Sequence, residues 1–171
     1  MSISSSVLGA AGEHYVMCQL LRRGLIAALA PAGVPNADLI VTDQLGSRLS
    51  AIQVKARVDK GGDGGWHMKE KHEDISSPTL FYVFVDFGKD LVTAPVCFVL
   101  PSATVADVVK RGHDIWLATP GMKGQQRNTT IMRRFLPDFD GHGRQIGCPK
   151  GWLDPYREAW HLIERGADAS A

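Results

Sequence analysis

Leu49-Ser50-Ala51-Ile52-Gln53-Val54-Lys55-Ala56-Arg57-Val58 is the stretch on which the reading of this chain turns. It is apolar and rich in β-branched residues, and one amide and one lysine stand two positions apart in it. In a strand, residues i and i+2 project from the same face. Gln53 and Lys55 therefore stand side by side, while Ile52, Val54 and Ala56 point the other way into a core. A lysine taken out of water is costly without a partner. The segment Pro35-Asn36-Ala37-Asp38-Leu39-Ile40-Val41 offers one in Asp38. Between the two runs lies Asp43-Gln44-Leu45-Gly46-Ser47, a turn-rich segment. An antiparallel hairpin folded at that turn brings Asp38 opposite Gln53 or Lys55.

Working outward, Val7, Leu8, Ala11, Tyr15, Cys18, Leu21 and Leu25 recur at spacings of three and four, which predicts a helix over 7–24, after a Ser-rich disordered start at 1–6. Glu13 lies on that helix, just after Gly9-Ala10-Ala11-Gly12, and Gly24 reads as its stop. Strands are expected at Leu25–Ala30, Ala37–Thr42, Leu49–Val58, Leu80–Phe87 and Pro95–Leu100. Gly61-Gly62-Asp63-Gly64-Gly65 interrupts them as a flexible loop, and order resumes at Trp66-His67-Met68. Ser102 reads as the cap of a short helix from about Ala103 to Arg111. Residues 117–150 read as loops with one short strand near Ile131–Phe135. Trp152–Arg165 reads as an amphipathic helix with Trp152, Tyr156, Trp160 and Ile163 facing inward. The expectation is one α/β domain over 1–171 with a mixed central sheet: core about 7–112, an irregular basic segment at 113–150 and a terminal helix at about 152–165.

The chain has 171 residues, is 44% hydrophobic and 22% charged, and carries a formal net charge of +1, an ordinary globular mix that can bury a core without staples. Near-neutral charge means that any nucleic-acid contact has to come from local clustering. Cys18, Cys97 and Cys148 form no CxxC pair and read as small buried hydrophobes in a reducing compartment. The sequence carries no signal-peptide pattern and no apolar run of bilayer length, so a cytoplasmic protein without membrane association is expected. The phosphate-cradling and nucleophile-elbow motifs are absent, which removes nucleotide-binding and serine-hydrolase readings. His67 and His72 are five apart, the wrong interval for one helical face, and Asp138, Asp140 and His142 sit among glycines as a loop.

An acid on one strand, an amide oxygen and a lysine on the next suit metal-dependent phosphodiester hydrolysis. A divalent cation on hard oxygen ligands neutralises the scissile phosphate and lowers the pKa of a bound water. In that chemistry Asp38 is the main metal ligand, Glu13 adds a carboxylate, Gln53 supplies a carbonyl oxygen, and Lys55 orients water and meets the developing charge.

Glu13, Asp38 and Gln53-Val54-Lys55, in this order and on these elements, resemble the PD-(D/E)XK nuclease superfamily, Holliday junction resolvases included. The resemblance rests on residues 8–57. Pro35 lies three positions before Asp38, so only the Asp carries over, and Gln53 stands where the pattern has an acid. This Gln-x-Lys variant is similar to that of a group of homing endonucleases. The resemblance implies a restriction-endonuclease-like αβββαβ-type core with a mixed sheet flanked by helices. It also implies an Mg²⁺-dependent (or Mn²⁺-dependent) DNA endonuclease, with Asp38, Gln53 and Glu13 on the metal and Lys55 as the water-positioning group. Arg57, Lys60, Lys69, Lys71, Arg133 and Arg134 are then candidates for contacts to DNA phosphates. One chain carries one such site, so a homodimer or two successive nicks would serve double-strand cutting. A second reading keeps the fold but makes it a weak or inactive nuclease module that binds nucleic acid or protein. A third makes the motif accidental in a plain interaction domain.

Overall fold

The computed structural model describes residues 3–59 and 62–165. Helix α1 (Ser5–Leu21) starts where the Ser4 hydroxyl accepts the Val7 N–H, 3.3 Å away. The serines at 4–6 therefore initiate the helix, contrary to the expected disordered start; Met1 and Ser2 fall outside the described residues. The chain then makes β1 (Ile26–Leu29), β2 (Leu39–Thr42) and β3 (Leu49–Arg57) as an antiparallel meander. β4 (Trp66–Lys69) and a 3₁₀ turn at Glu70–Glu73 carry the chain to β5 (Leu80–Asp86), which pairs parallel with β3. β6 (Val96–Pro101) pairs antiparallel with β5, completing a mixed sheet of order β1-β2-β3-β5-β6. Helix α2 (Ser102–Ala118) follows, and β7 (Met132–Phe135) pairs with β4 as a separate two-stranded ribbon. This is the expected mixed α/β architecture, a sheet flanked by helices with a short helix, α3 (His161–Arg165), near the C-terminus.

Both faces of the sheet are covered, and the two-residue period of the strands assigns each side chain to one of them. Leu39, Val41, Ile52, Val54, Phe81, Val83 and Val85 pack on Val16 and Leu20 of α1. Leu80, Tyr82 and Phe84 face the other way, onto Val105, Val108 and Val109 of α2 and the ribbon residues Trp66, Met68 and Phe135. β5 is buried along both faces, which is why Leu80–Val85 reads as an unbroken apolar run.

The close approach of α1 to the sheet depends on Gly12. A Cβ there would lie 2.9 Å from Ala56 Cβ, whereas a Cβ at Gly9 meets nothing within 4 Å. Gly9→Ala is accordingly expected to stabilise the fold by about 0.5–1 kcal/mol through helix propensity. Gly12→Val is expected to destabilise it by about 1–3 kcal/mol by forcing the helix off β3. Denaturant unfolding of the two variants checks the opposite signs.

Several expected boundaries move. α2 runs to Ala118 and does not stop near Arg111, because Gly112 is a packing residue inside the helix: a Cβ there would lie 2.5 Å from the Phe139 ring. Ser102 does not cap that helix; its hydroxyl holds both the N–H and the C=O of Ser77 at 2.9 Å. The expected helix Trp152–Arg165 is broken. A 3₁₀ turn at Asp154–Tyr156 and Glu158, with φ of 49°, precede the five-residue α3. Cys97 and Cys148 are buried as expected, but Cys18 is exposed. No helix among the described residues is long and apolar enough to cross a membrane.

Candidate active site

Asp38 occupies the bend that leads into β2. Its N–H donates to Ile52 C=O at 2.8 Å and its C=O accepts the Ala30 N–H at 2.9 Å, so the ladder continues through it. Leu39 pairs with Ile52, and one further step of that register sets Asp38 against Gln53. The side chains meet as well. Gln53 Nε2 donates to Asp38 Oδ2, and the Val54 N–H donates to the same oxygen at 2.7 Å. Both donors fall on Oδ2. Asp38 Oδ1 and Gln53 Oε1 take no part in these two bonds.

Lys55 follows two residues along the same face of β3, level with Phe84 of β5. Burial pushes its ammonium toward losing its proton, with Lys71 and Lys69 adding to that push, while Asp38 and Glu13 hold the charge in place. Glu13 stands on α1 next to Gly12, where the helix comes closest to β3. Its carboxyl is pushed up, first by burial and then by the Asp38 charge, with His14 and Lys55 opposing. Of the four residues singled out from the sequence, Asp38 and Gln53 are in direct contact, Lys55 shares the strand face of Gln53, and the charges of Glu13, Asp38 and Lys55 act on one another. Two carboxylates and one amide oxygen are hard donors of the type Mg²⁺ takes. Among the described residues no group of three or more His, Cys, Asp or Glu is set to hold a metal. Asp140, read from the sequence as part of a loop, accepts the N–H groups of Ile146, Gly147 and Cys148 and anchors that loop.

Behind Lys55 lies a pair the sequence did not announce. His72, 2% exposed, has Nδ1 2.7 Å from the Tyr82 hydroxyl, and Tyr82 is the register partner of Gln53. Lys69-Glu70-Lys71-His72-Glu73-Asp74 looks like a solvated turn, and only the packing of the 3₁₀ turn against α2 takes His72 inside. Burial, with Lys55, Lys71 and Lys69 close by, lowers its pKa from 6.5 to about 4. Between these values the unfolded chain binds the proton more tightly than the native one. Stability therefore rises with pH across that window, and the contribution of neutral His72 is lost as pH falls through it. The full swing is about 3 kcal/mol, from about 1.4 kcal/mol per pKa unit. Urea unfolding at pH 4.5 and 7.5 is expected to show that loss in the wild type and a much smaller one in His72→Phe.

The candidate phosphate contacts divide by residue type. Arg57 is paired with Asp86 and lies 4.2 Å over the Trp66 ring. Arg133, 6% exposed, is held by Glu73 and by the carbonyls of Thr130 and Met132. Arg134 is held by both carboxylate oxygens of Asp63. All three arginines are ion-paired to carboxylates of the chain itself. The Asp63–Arg134 bond also pins the described part of the glycine-rich loop, where Gly65 lies so close to β7 that a Cβ would come within 2.6 Å of Phe135 O. Lys60 lies outside the described residues. Lys69 and Lys71 are exposed and border a concavity shared with Lys55. Trp66 is buried among Phe84, Phe98 and Phe135 and does not face solvent.

No family model matches this chain, and no curated protein sequence matches it. Among solved structures, the bacterial homing endonuclease I-Ssp6803I is similar over 98% of this chain and 96% of its own, with a TM-score of 0.55 and 17% sequence identity. The fold is therefore nuclease-like.

Proposed function

We propose that this protein is a divalent-cation-dependent DNA endonuclease that hydrolyses phosphodiester bonds at the Asp38 site. The observation that carries the reading is the side-chain contact between Asp38 and Gln53, with Lys55 next on the same strand face and the Glu13 charge acting on Asp38 and Lys55. Likeness of fold to a homing endonuclease supports it. Asp38, Glu13 and Gln53 would hold Mg²⁺ or Mn²⁺ through oxygen atoms. When bound, the cation neutralises charge on the scissile phosphate and lowers the pKa of a bound water. The chain's own residues do the rest. Asp38 is oriented by the Gln53 amide and the Val54 N–H. Lys55, whose proton is loosened by burial, positions the attacking water and meets the charge that develops on the phosphate. One chain carries one site, so cutting both strands takes a second copy or two successive nicks.

A second reading, a nuclease-fold module that binds nucleic acid and cuts weakly or not at all, is favoured by one feature: among the described residues no group of three or more His, Cys, Asp or Glu is set to hold a metal. Incubation of the protein with supercoiled and branched DNA, in Mg²⁺, Mn²⁺ or EDTA, separates the two. Nicking is expected in either cation and not in EDTA. Lys55→Ala should reduce it by about 10²–10³-fold, the loss typical for removing one preorganised charge-stabilising group. Nicking that survives in Lys55→Ala and in Asp38→Ala would exclude this site. DNA retention without any nicking would favour the binding module.

A further inference from the structure

The concavity beside the Asp38–Gln53 pair encloses about 230 Å³ and is bordered by Lys55, His67, Met68, Lys69, Lys71 and His72, with Met132 at its edge. Three ammonium groups border one opening, and no carboxylate among the described residues does. Lys69 stands at the end of β4 and Lys71 in the 3₁₀ turn after it, and neither is ion-paired to a carboxylate among the described residues. Lys71 Nζ donates to Asn36 Oδ1 at 2.9 Å. Asn36 takes the left-handed conformation (φ 64°) two residues before Asp38, so this bond ties the pocket wall to the turn that aims Asp38. Like charges around one opening repel each other, and an anion is the ligand that turns the repulsion into attraction. Lysine binds phosphate as a point charge without demanding planar geometry. The volume admits a phosphate with its sugar. Because Lys55 belongs to both the pocket and the Asp38 site, the two are continuous.

We propose that this pocket is a phosphate subsite that receives the backbone phosphate adjoining the one at Asp38, with Lys69 and Lys71 positioning the strand without taking part in bond breaking. The proposal rests on the nuclease reading above for its choice of a nucleic-acid phosphate over a free one. Phosphate contacts fix register and carry no sequence information, so the subsite holds unrelated sequences alike. The contrast with the arginines sharpens the assignment. Arg57, Arg133 and Arg134 are paired with internal carboxylates, whereas Lys69 and Lys71 are exposed at the pocket rim.

The test is the salt dependence of binding. Anisotropy of a labelled DNA duplex is followed over a series of KCl concentrations in EDTA for wild type, the Lys69→Gln/Lys71→Gln double variant and a control on α2, Lys110→Gln. Losing one neutralised phosphate reduces the slope of log K against log salt by about 0.9. That reduction is expected in the double variant, for two unrelated sequences alike. A wild-type slope is expected for Lys110→Gln. An unchanged slope in the double variant overturns the subsite. So does wild-type protein that fails to bind DNA at low salt, whether or not inorganic phosphate alone broadens its own ³¹P resonance in the presence of the protein. A reduced slope in a protein that cuts no DNA in any cation sustains the subsite and defeats the nuclease reading.

Discussion

Asp38→Asn is expected to abolish cation-dependent DNA cleavage, by at least about 10²–10³-fold, while leaving the fold intact. The reason lies in how Asp38 Oδ2 is used. It accepts from Gln53 Nε2 and from the Val54 N–H, and an asparagine carbonyl oxygen can accept from both. What disappears is the negative charge, and with it the main reason for a cation to sit beside β3. The same charge raises the Glu13 carboxyl and holds the Lys55 proton in place, so the variant relieves one interaction and loses another. Thermal unfolding of Asp38→Asn should therefore stay close to the wild type. Asp38→Ala differs on this point. It removes the acceptor together with the charge and leaves the Val54 N–H unpaired, which costs about 1–3 kcal/mol. Single-turnover cleavage measured alongside unfolding separates the two effects. An Asn variant that cuts at the wild-type rate would remove Asp38 from the chemistry whatever its stability.

How far the sequence reached can be traced through particular residues. The alternation in Leu49–Arg57 was enough to place Gln53 and Lys55 on one face, because a one-residue slip would bury the wrong set. The turn at 43–47 was enough to bring Asp38 against Gln53. Local patterns failed where one residue type serves two purposes. Gly112 looks like the end of a helix, yet it lies inside α2 to admit the Phe139 ring. Trp152, Tyr156 and Trp160 recur every four residues like one face of a helix. They lie instead on opposite sides of the sheet, Trp152 and Tyr156 with the α2 core and Trp160 with the α1 core. The basic residues meet a third limit. Charge can be counted along the chain, but partners from 29 to 71 positions away cannot, so nothing local distinguishes Arg133, held by Glu73, from Lys69. His72 belongs here too, since what buries it is the distant Tyr82 strand and helix α2.

Gln53→Glu should produce the largest change in response to metal. In the wild type the Gln53 amide donates to Asp38, so the pair is stable with no cation present. A glutamate offers an oxygen where that N–H was, and two carboxylates at hydrogen-bonding distance cannot both ionise at ordinary cost, so one of them titrates well above its normal range. A carboxyl whose pKa is raised in the native state contributes its stability below the unfolded pKa of about 4.3 and loses it as pH rises toward the native value. The variant is thus expected to resemble the wild type near pH 4 and to be less stable at pH 7 in EDTA by about 1.5–3 kcal/mol, the worth of a hydrogen bond to a charged group. Added Mg²⁺ reverses this, because the variant presents three carboxylates where the wild type presents two and an amide. Ligand present at about 100 times its Kd returns about 2.7 kcal/mol. Thermal unfolding in EDTA and in millimolar Mg²⁺ at pH 7 should show a cation-induced rise in Tm several degrees larger in Gln53→Glu than in wild type. Cleavage should then need less Mg²⁺ to reach half its maximum. Should Gln53→Glu be as stable as wild type in EDTA, or gain nothing from Mg²⁺, then Asp38 and Gln53 do not jointly face a cation, and the contact between them is a structural tie across the β2–β3 ladder.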